Sequence, residues 1–568
     1  MCGIVGIINL KQSICSDKIK AMLKKIKHRG PSVSQTWHSE NIALGCARLS
    51  MCDTKSKKAV FNSKDGRLTL VYNGEISNYI DLRQKLTESG HRFLTNNDAE
   101  VIIHLYEEYG SDFISYLDGM FAFCLVDYRK KMPKVIIGRD HFGIKPLYIY
   151  KHNDEIVFSS EIRPILCYAP KQKLNMKAVA SFLNYRFAAN PLTPFEDIEK
   201  LEPSHILIIG KTIRKKAYEP KCKSVTGSFY DIFRKSVKQN LQSEVPLGFF
   251  VSGGIDSGIV TALAMQMNYK GLGFTVKYGS SSLNEDGYAA EISKRYDNLE
   301  GKYVDVRSDM NLAKIIDKVV QSLEEPIYST VSVSTYLLAQ EACKYVSGVL
   351  SGDGADELFM SYKYLSSAYH ASNPIKAYKQ KIGWLAPELK KLLFYDRNIF
   401  KRINLISGKK KVTDAYRDFE LKYRLPDYHL LRLDKLTMAN SLEARVPFLS
   451  SAVLYYSNKL DFHEILNDKT EKRLFKENFR HILPSVICNR VKQPFSAPYE
   501  EWIDTALKSD IQKVFQDKEC CRRFSIKQEK LKDLAAKNKK SYFEYTAVWG
   551  LYILFKWYKI YRKYVIDD

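Results

Sequence analysis

The sequence predicts an α/β chain of two domains with a helical C-terminal part, and three observations carry that reading. At 568 residues the chain is too long for one core. Residues 1–210 read as short apolar strands punctuated by turns. Beyond residue 226, buried-strand segments alternate with helices as in a parallel sheet, and after about residue 360 the pattern is mainly helical.

The elements follow in order. Leu68-Thr69-Leu70-Val71-Tyr72 and Phe121-Ala122-Phe123-Cys124-Leu125-Val126 have strand length and composition, and Asn73-Gly74, Asp118-Gly119 and Phe142-Gly143 separate them as turn signals. A basic, proline-containing stretch, 211–226, is expected to link the two domains, 1–210 and 227–568. Phe249-Phe250-Val251 then leads through a glycine loop into the apolar helix Ile259–Ala264. Gly271–Lys277 and Val349-Leu350 are further buried strands.

Composition narrows the function. There is no apolar leader and no run of ~18 uncharged apolar residues, so a cytoplasmic protein without a membrane span is expected. Ala547–Phe555, closed by Lys556, reads as a buried helix. The 11 cysteines form no CxxC pair and no zinc-type Cys/His spacing, which gives no sign of a structural metal and fits reduced thiols. The net charge of +24 arises from 88 Lys+Arg against 64 Asp+Glu. The lysines are dispersed and none sits in an aromatic-interleaved motif, so no nucleic-acid partner is expected.

Cys2 follows Met1 directly. Removal of Met1 would put a thiol and a free α-amine, with an ordinary pKa near ~8, on one residue, uniting nucleophile and general base. Tyr72-Asn73-Gly74-Glu75 pairs a side-chain amide with a glycine N–H, a combination suited to an oxyanion hole, although Asn-Gly is also a common hairpin turn. Asp98 is either a carboxylate for an α-amino group or a cap for a helix starting near Ala99. With His28-Arg29-Gly30-Pro31 and Ala47-Arg48-Leu49-Ser50, these segments resemble the glutaminase domain of class II glutamine amidotransferases, an N-terminal-nucleophile αββα fold. The resemblance implies that Cys2 attacks the glutamine amide and that Asn73 and Gly74 hold the oxyanion. It further implies that Arg48 binds the glutamine carboxylate, Glu75 and Asp98 its amino end, and that Leu49, Ser50, Met51 and Cys52 line the pocket. Arg139–Tyr148 and Phe158–Glu161 extend the match as packing or interdomain elements, and Ser32 departs from the acidic residue usual there.

Phe250-Val251-Ser252-Gly253-Gly254-Ile255-Asp256-Ser257 follows a strand and opens a helix, so backbone N–H groups and serine hydroxyls can meet an anion. It lacks the Gly-Lys-Ser/Thr ending of a Walker A loop. Ser351-Gly352-Asp353-Gly354-Ala355-Asp356-Glu357 supplies carboxylates at another strand end, suited to magnesium. Together with Leu430–Leu449, these loops resemble the ATP-pyrophosphatase synthetase domain of the glutamine-hydrolysing asparagine synthetase family, bacterial branch. That resemblance implies ATP and Mg2+. Ser252, Gly253, Gly254, Asp256 and Ser257 would hold pyrophosphate, and Phe250, Val276, Ser351 and Gly352 would border adenine and ribose. Asp256 and Asp356 would face magnesium, Lys492 would stabilise adenylation, and Asp353 or Glu357 would accept a proton from ammonia. Asp353 stands where some members carry Glu, and Gly258 where a second serine is usual. The expected substrates are glutamine, ATP and a carboxylate acceptor, with L-aspartate favoured over a uronic acid of surface-polysaccharide synthesis; a homodimer is compatible with this reading.

Overall fold

A computed structural model describes residues 2–15, 17–221, 225–279, 281–307, 309–406, 411–467, 470–491, 493 and 495–566. Two antiparallel sheets of six strands each are built by the N-terminal part of the chain. The first runs, in spatial order, Ile198–Lys200, Tyr148–His152, Glu155–Ser159, Cys2–Ile8, Ile42–Arg48, Val33–His38. The second runs Ile213–Ala217, His205–Ile209, Lys134–Arg139, Gly119–Asp127, Leu68–Ile76, Val60–Asn62.

Strand alternation explains how the sheets stack. Cys2, Ile4 and Ile8 point one way and join Val71, Cys124 and Ile137 of the second sheet in one apolar layer. Val5 and Ile7 point the other way, onto the helix Asp17–Lys25. The outer face of the second sheet is covered by the helices Tyr79–Glu88 and Glu100–Tyr109. This is the expected helix–sheet–sheet–helix sandwich, and it places Cys2 at the edge of the inter-sheet core.

The stretch expected as a linker holds the strand Ile213–Ala217, paired with His205–Ile209. Its lysines had suggested a solvated tether, but all five residues are exposed at a sheet edge, where lysine discourages pairing with another chain. Strand and basic composition are therefore compatible.

The second part contains a five-stranded, all-parallel sheet: Leu299–Asp305, Gly271–Lys277, Leu247–Phe250, Gly348–Leu350, Glu443–Arg445. After Leu247–Phe250 the chain first builds outward on one side, then returns to the other with Gly348–Leu350. Such a reversal opens a crevice at the carboxyl ends of two neighbouring strands. Residues 251–257 and 351–357 follow those two strands. The helix expected over Ile259–Ala264 begins earlier, at Ile255, so Asp256 and Ser257 lie in its first turn. At the C-terminus Tyr542–Tyr561 is a buried helix opened by a Ser541/Glu544 capping box. Lys556 within it pairs with Asp317 at 2.9 Å and Asp510 at 2.8 Å. Among the described residues no helix is long and apolar enough to cross a membrane.

A buried ionic network joins the two parts. Arg29, fully buried, donates to the Cys2 carbonyl at 3.2 Å, to Glu161 at 3.4 Å and to Asp434 at 2.8 Å. Lys145 reaches the other Asp434 oxygen at 3.2 Å. Glu324 accepts from Lys435 at 2.6 Å and from the backbone N–H groups of Ile162 and Arg163, each at 2.7 Å. Arg139–Tyr148 and Phe158–Glu161 thus do lie against the other part of the chain.

Removing one member leaves the others charged and unpaired. Asp434→Asn is expected to cost about 3–5 kcal/mol, seen as a lower urea midpoint; an unchanged midpoint would contradict the weight given to this network.

Candidate functional site

The first site forms where the Cys2 strand ends. Cys2 stands opposite Arg48 in the antiparallel ladder, and its backbone N–H donates to the Asn73 side-chain oxygen at 3.0 Å. A cavity of about 20 Å3, room for roughly one water, is lined by Cys2, Arg48, Leu49, Met51, Cys52, Gly74, Glu75 and Asp98 among others. Most of the sequence-predicted glutamine residues are therefore together. Ser50 does not line the cavity, and its N–H donates to the Ser32 hydroxyl at 3.3 Å. Gly74 is required by close approach, since a Cβ there would sit 2.0 Å from the Met120 carbonyl.

Three side chains behave differently from their simplest reading. Arg48 spends its terminal donors on four carbonyls, Cys52 at 2.6 Å, Lys58 at 2.8 Å, and Asp53 and Ser56 at 3.1 Å, and so shapes the loop beside the cavity. Asp98 caps no helix; Glu100–Tyr109 starts without a side-chain cap, and Asp98 accepts from Tyr72 at 2.8 Å and the Ile76 N–H at 2.9 Å. Burial raises the Asp98 pKa and pushes that of Glu75 well above the carboxylate range, with Arg445 opposing in both cases. Arg445 comes from the parallel sheet, 3.3 Å from Glu75.

The Cys2 thiol is lowered to about 7 by a hydrogen bond with Cys46, against burial, with help from the charge of Arg48. Cys46 moves the opposite way, well above the thiol range. Cys46, Tyr72, Asn97 and Arg445 were given no role from the sequence. Strand alternation places Cys46 on the inward face with Cys2, a signal that was there to be read.

The second site is the crevice of the parallel sheet, a cavity of about 510 Å3. Phe250, Ser252, Gly254, Asp256, Ser257, Val276, Ser351, Gly352, Asp353, Asp356 and Glu357 all line it. Gly253 turns the loop at φ +70°, where a Cβ would meet Tyr288 at 2.7 Å. Its carbonyl accepts from Arg490 at 2.8 Å, and Arg490 also pairs with Glu285 at 2.6 Å. Ser252 and Ser257 hydroxyls lie 3.1 Å apart at the helix start, where backbone N–H groups and the helix dipole favour an anion.

Asp256 and Asp356 converge as expected, and the buried ammonium of Lys472 sits between them, bonded to Asp256 and 3.0 Å from Asp356. Two hard carboxylates meeting beside a phosphate-type loop fit Mg2+ by donor chemistry. Lys492 lies outside the described residues. The lysine that geometry brings to the phosphate loop is Lys472, which sequence reading missed because its partner Asp256 is 216 positions away in the chain.

Glu357 is buried, accepts from the Tyr362 hydroxyl, and lies 3.2 Å from His429 Nε2. Burial raises its pKa to about 7, assisted by the neighbouring charge of Asp356. His429 is pushed well below its usual value, chiefly by burial. Asp353 accepts from the Ser351 hydroxyl, with Arg432 at 4.0 Å. Arg424 and His429 stand on Glu420–Leu430, a π-helical stretch, a form often found at functional sites.

Two family models match the chain: a glutamine amidotransferase domain over residues 1–219, and asparagine synthase over residues 228–559. The chain belongs to the asparagine synthase family. As a member it is a carbon–nitrogen ligase that draws nitrogen from glutamine. It is 29% identical to asparagine synthetase [glutamine-hydrolyzing] 1 of Bacillus subtilis, across 91% of this chain and 90% of the relative. Asparagine synthetase [glutamine-hydrolyzing] 3 of the same organism is 26% identical, across 89% and 90%. A putative asparagine synthetase 2 of Methanocaldococcus jannaschii is 31% identical, across 64% of this chain and 76% of the relative.

The thiol predicts a pH dependence. A thiolate is the reactive form and exists above the pKa, so glutamine hydrolysis should rise with pH through about 7 and then level off. A rate flat through that pH would contradict the thiolate assignment.

Proposed function

We propose that this chain is an ATP-dependent, glutamine-hydrolysing amidotransferase that converts L-aspartate to L-asparagine through a β-aspartyl-adenylate, in the cytoplasm. The observation that carries the proposal is the contact between sites: Arg445, from the sheet that forms the nucleotide crevice, reaches Glu75 in the Cys2 pocket at 3.3 Å.

In the proposed reaction the Cys2 thiolate attacks the glutamine side-chain amide, using its own α-amine once Met1 is removed. The Gly74 N–H and Asn73 amide stabilise the tetrahedral oxyanion. Glu75 and Asp98 hold the substrate ammonium, and Arg48 offers its charge and its remaining Nε donor to the carboxylate. Because the cavity is small, glutamine entry requires the 52–58 loop to move. The intermediate collapses to a thioester, expelling ammonia with a proton from the Cys2 α-ammonium, and water then cleaves the thioester to glutamate.

In the crevice, Ser252, Gly253, Gly254 and Ser257 receive the ATP phosphates. Asp256 and Asp356 would hold Mg2+, which would neutralise phosphate charge there. The acceptor carboxylate attacks the α-phosphorus, forming the acyl-adenylate and releasing pyrophosphate. Lys472 fits the cationic role assigned from the sequence to Lys492. Ammonia then attacks the acyl carbon, Glu357 accepts a proton above its pKa of about 7, and AMP leaves.

A second acceptor, a uronic acid, is favoured by Tyr328, Tyr428, Tyr499 and Tyr542 around the same cavity, since aromatic rings suit a sugar face. Pyrophosphate release with Mg-ATP and glutamine separates the two. Stimulation by aspartate, lost in Cys2→Ala and restored by ammonium, is the expected result. Stimulation by a uronic acid but not by aspartate would replace the acceptor assignment, and failure with every carboxylate would overturn the reading.

Coupling makes its own prediction. Arg445→Met removes the cation facing Glu75, so the glutamine KM should rise about tenfold or more, as expected for ~1.4 kcal/mol of lost pairing, while ammonium-driven turnover changes less. Equal losses with both nitrogen sources would mean that Arg445 serves the sheet alone.

A further inference from the structure

On the outer layer of the N-terminal sandwich, away from both cavities, His91, His104 and Glu107 bring three ligand atoms within 4.8 Å of one another. Glu107 Oε2 lies between two imidazoles, 2.9 Å from His104 Nδ1 and 3.5 Å from His91 Nδ1. Ligands bound tetrahedrally at zinc–ligand distances of ~2.0–2.1 Å are about 3.3 Å apart, and these two separations bracket that value.

The surroundings also suit a metal. A ligating histidine usually directs its other nitrogen at a carboxylate, which fixes the tautomer and raises basicity. His91 Nε2 faces Glu108 at 3.2 Å, and His104 Nε2 faces Glu100 at 3.6 Å. That second approach is too long for a hydrogen bond, and His104 Nε2 has no hydrogen-bond partner although the residue is only 8% exposed. Glu100 is itself fixed by the N–H groups of Leu94 at 2.5 Å and Thr95 at 2.7 Å. The His104 ring is held edge-on against Phe93, with centroids 4.5 Å apart, and Arg83 covers Phe93 at 4.3 Å. His91 and Glu107 remain partly exposed, at 16% and 31%, leaving a path for an ion and a water.

Charge points the same way. With both imidazoles neutral, Glu100, Glu107 and Glu108 leave three negative charges on one spot of a protein whose net charge is +24. A divalent ion held by the three ligands would balance that charge.

We propose that His91, His104 and Glu107 form a zinc site that fastens the segment after Tyr79–Glu88 onto the helix Glu100–Tyr109. His104 and Glu107, three residues apart, share one face of that helix, and Asp98 of the glutamine pocket precedes its first turn. The ion would thus be structural, bracing the element that carries Asp98. The sequence showed no such site because the pattern is one histidine from a loop and a His-x-x-Glu from a helix, with no cysteine.

The test uses the full chain, stripped with chelator and titrated with Zn2+ alone, beside His91→Ala and Glu107→Gln. The proposal expects one equivalent bound at least tenfold more tightly by wild type than by either variant, and a thermal midpoint raised by Zn2+ in wild type only. Co2+ substitution should give d–d bands without a thiolate charge-transfer band. Equal binding by Glu107→Gln, a thiolate band on the tight site, or no saturable binding would each overturn it. Because Glu107 is partly exposed, Glu107→Gln keeps the comparison informative should His91→Ala not fold.

Discussion

Arg29 is the interaction on which the two-site arrangement depends. One buried guanidinium holds the carbonyl of the nucleophile residue Cys2, the Glu161 carboxylate that follows a neighbouring strand, and Asp434 of the second domain. A planar fork with fixed donors can define three directions at once, and lysine cannot replace that geometry. The desolvation cost of burying such a group is large. It is offset only because the partners are charged and correctly placed: burial alone would lower the Arg29 pKa, and the Asp434 and Glu161 carboxylates overcome it and raise it. Gly30 next to it permits the chain to pass close to the Cys2 ladder, since a Cβ there would lie 2.1 Å from the Ala47 carbonyl.

The same logic extends from position to coupling. The loop beside the Cys2 cavity is held from within by Arg48 and from outside by Glu244, whose carboxylate accepts from the Asp53 and Thr54 N–H groups at 2.8 and 3.0 Å. Glu244 precedes the central strand Leu247–Phe250 of the parallel sheet. Arg445, on the edge strand of that sheet, meets Glu75. The parallel sheet thus touches the Cys2 cavity at two places, through the buried Arg445–Glu75 pair and the exposed Glu244 contacts. No long relay is needed: the first domain rests directly on the sheet that forms the second site.

What was legible in the sequence was what is local. The loops 252–257 and 351–357 each carry their chemistry within a few consecutive residues, and strand ends place them in one crevice. Arg29, Lys472 and Arg445 were not legible in their roles, because each has a partner more than 200 positions away. A buried cation has the same letter as a surface one in a chain with 88 lysines and arginines. The edge strand Ile213–Ala217 was missed for the opposite reason: its exposed, basic face looks like a tether, and only pairing reveals it.

The acidic loop shows how environment divides labour among chemically similar groups. Asp353, Asp356 and Glu357 fall within five residues at one strand end, yet each meets a different partner. Asp356 is paired with the Lys472 ammonium, which suits a carboxylate that must stay charged beside phosphate. Asp353 faces Arg432 across 4.0 Å in the same crevice. Glu357 turns inward, loses water, and meets a tyrosine hydroxyl and a neutral histidine, which leaves it balanced near pH 7. Only a group so balanced can both take a proton from an attacking amine and lose it again at neutral pH. Short helix geometry produces the separation, since adjacent residues on Ala355–Leu358 point about 100° apart. One turn of backbone thereby aims one carboxylate at a cation and its neighbour into the core.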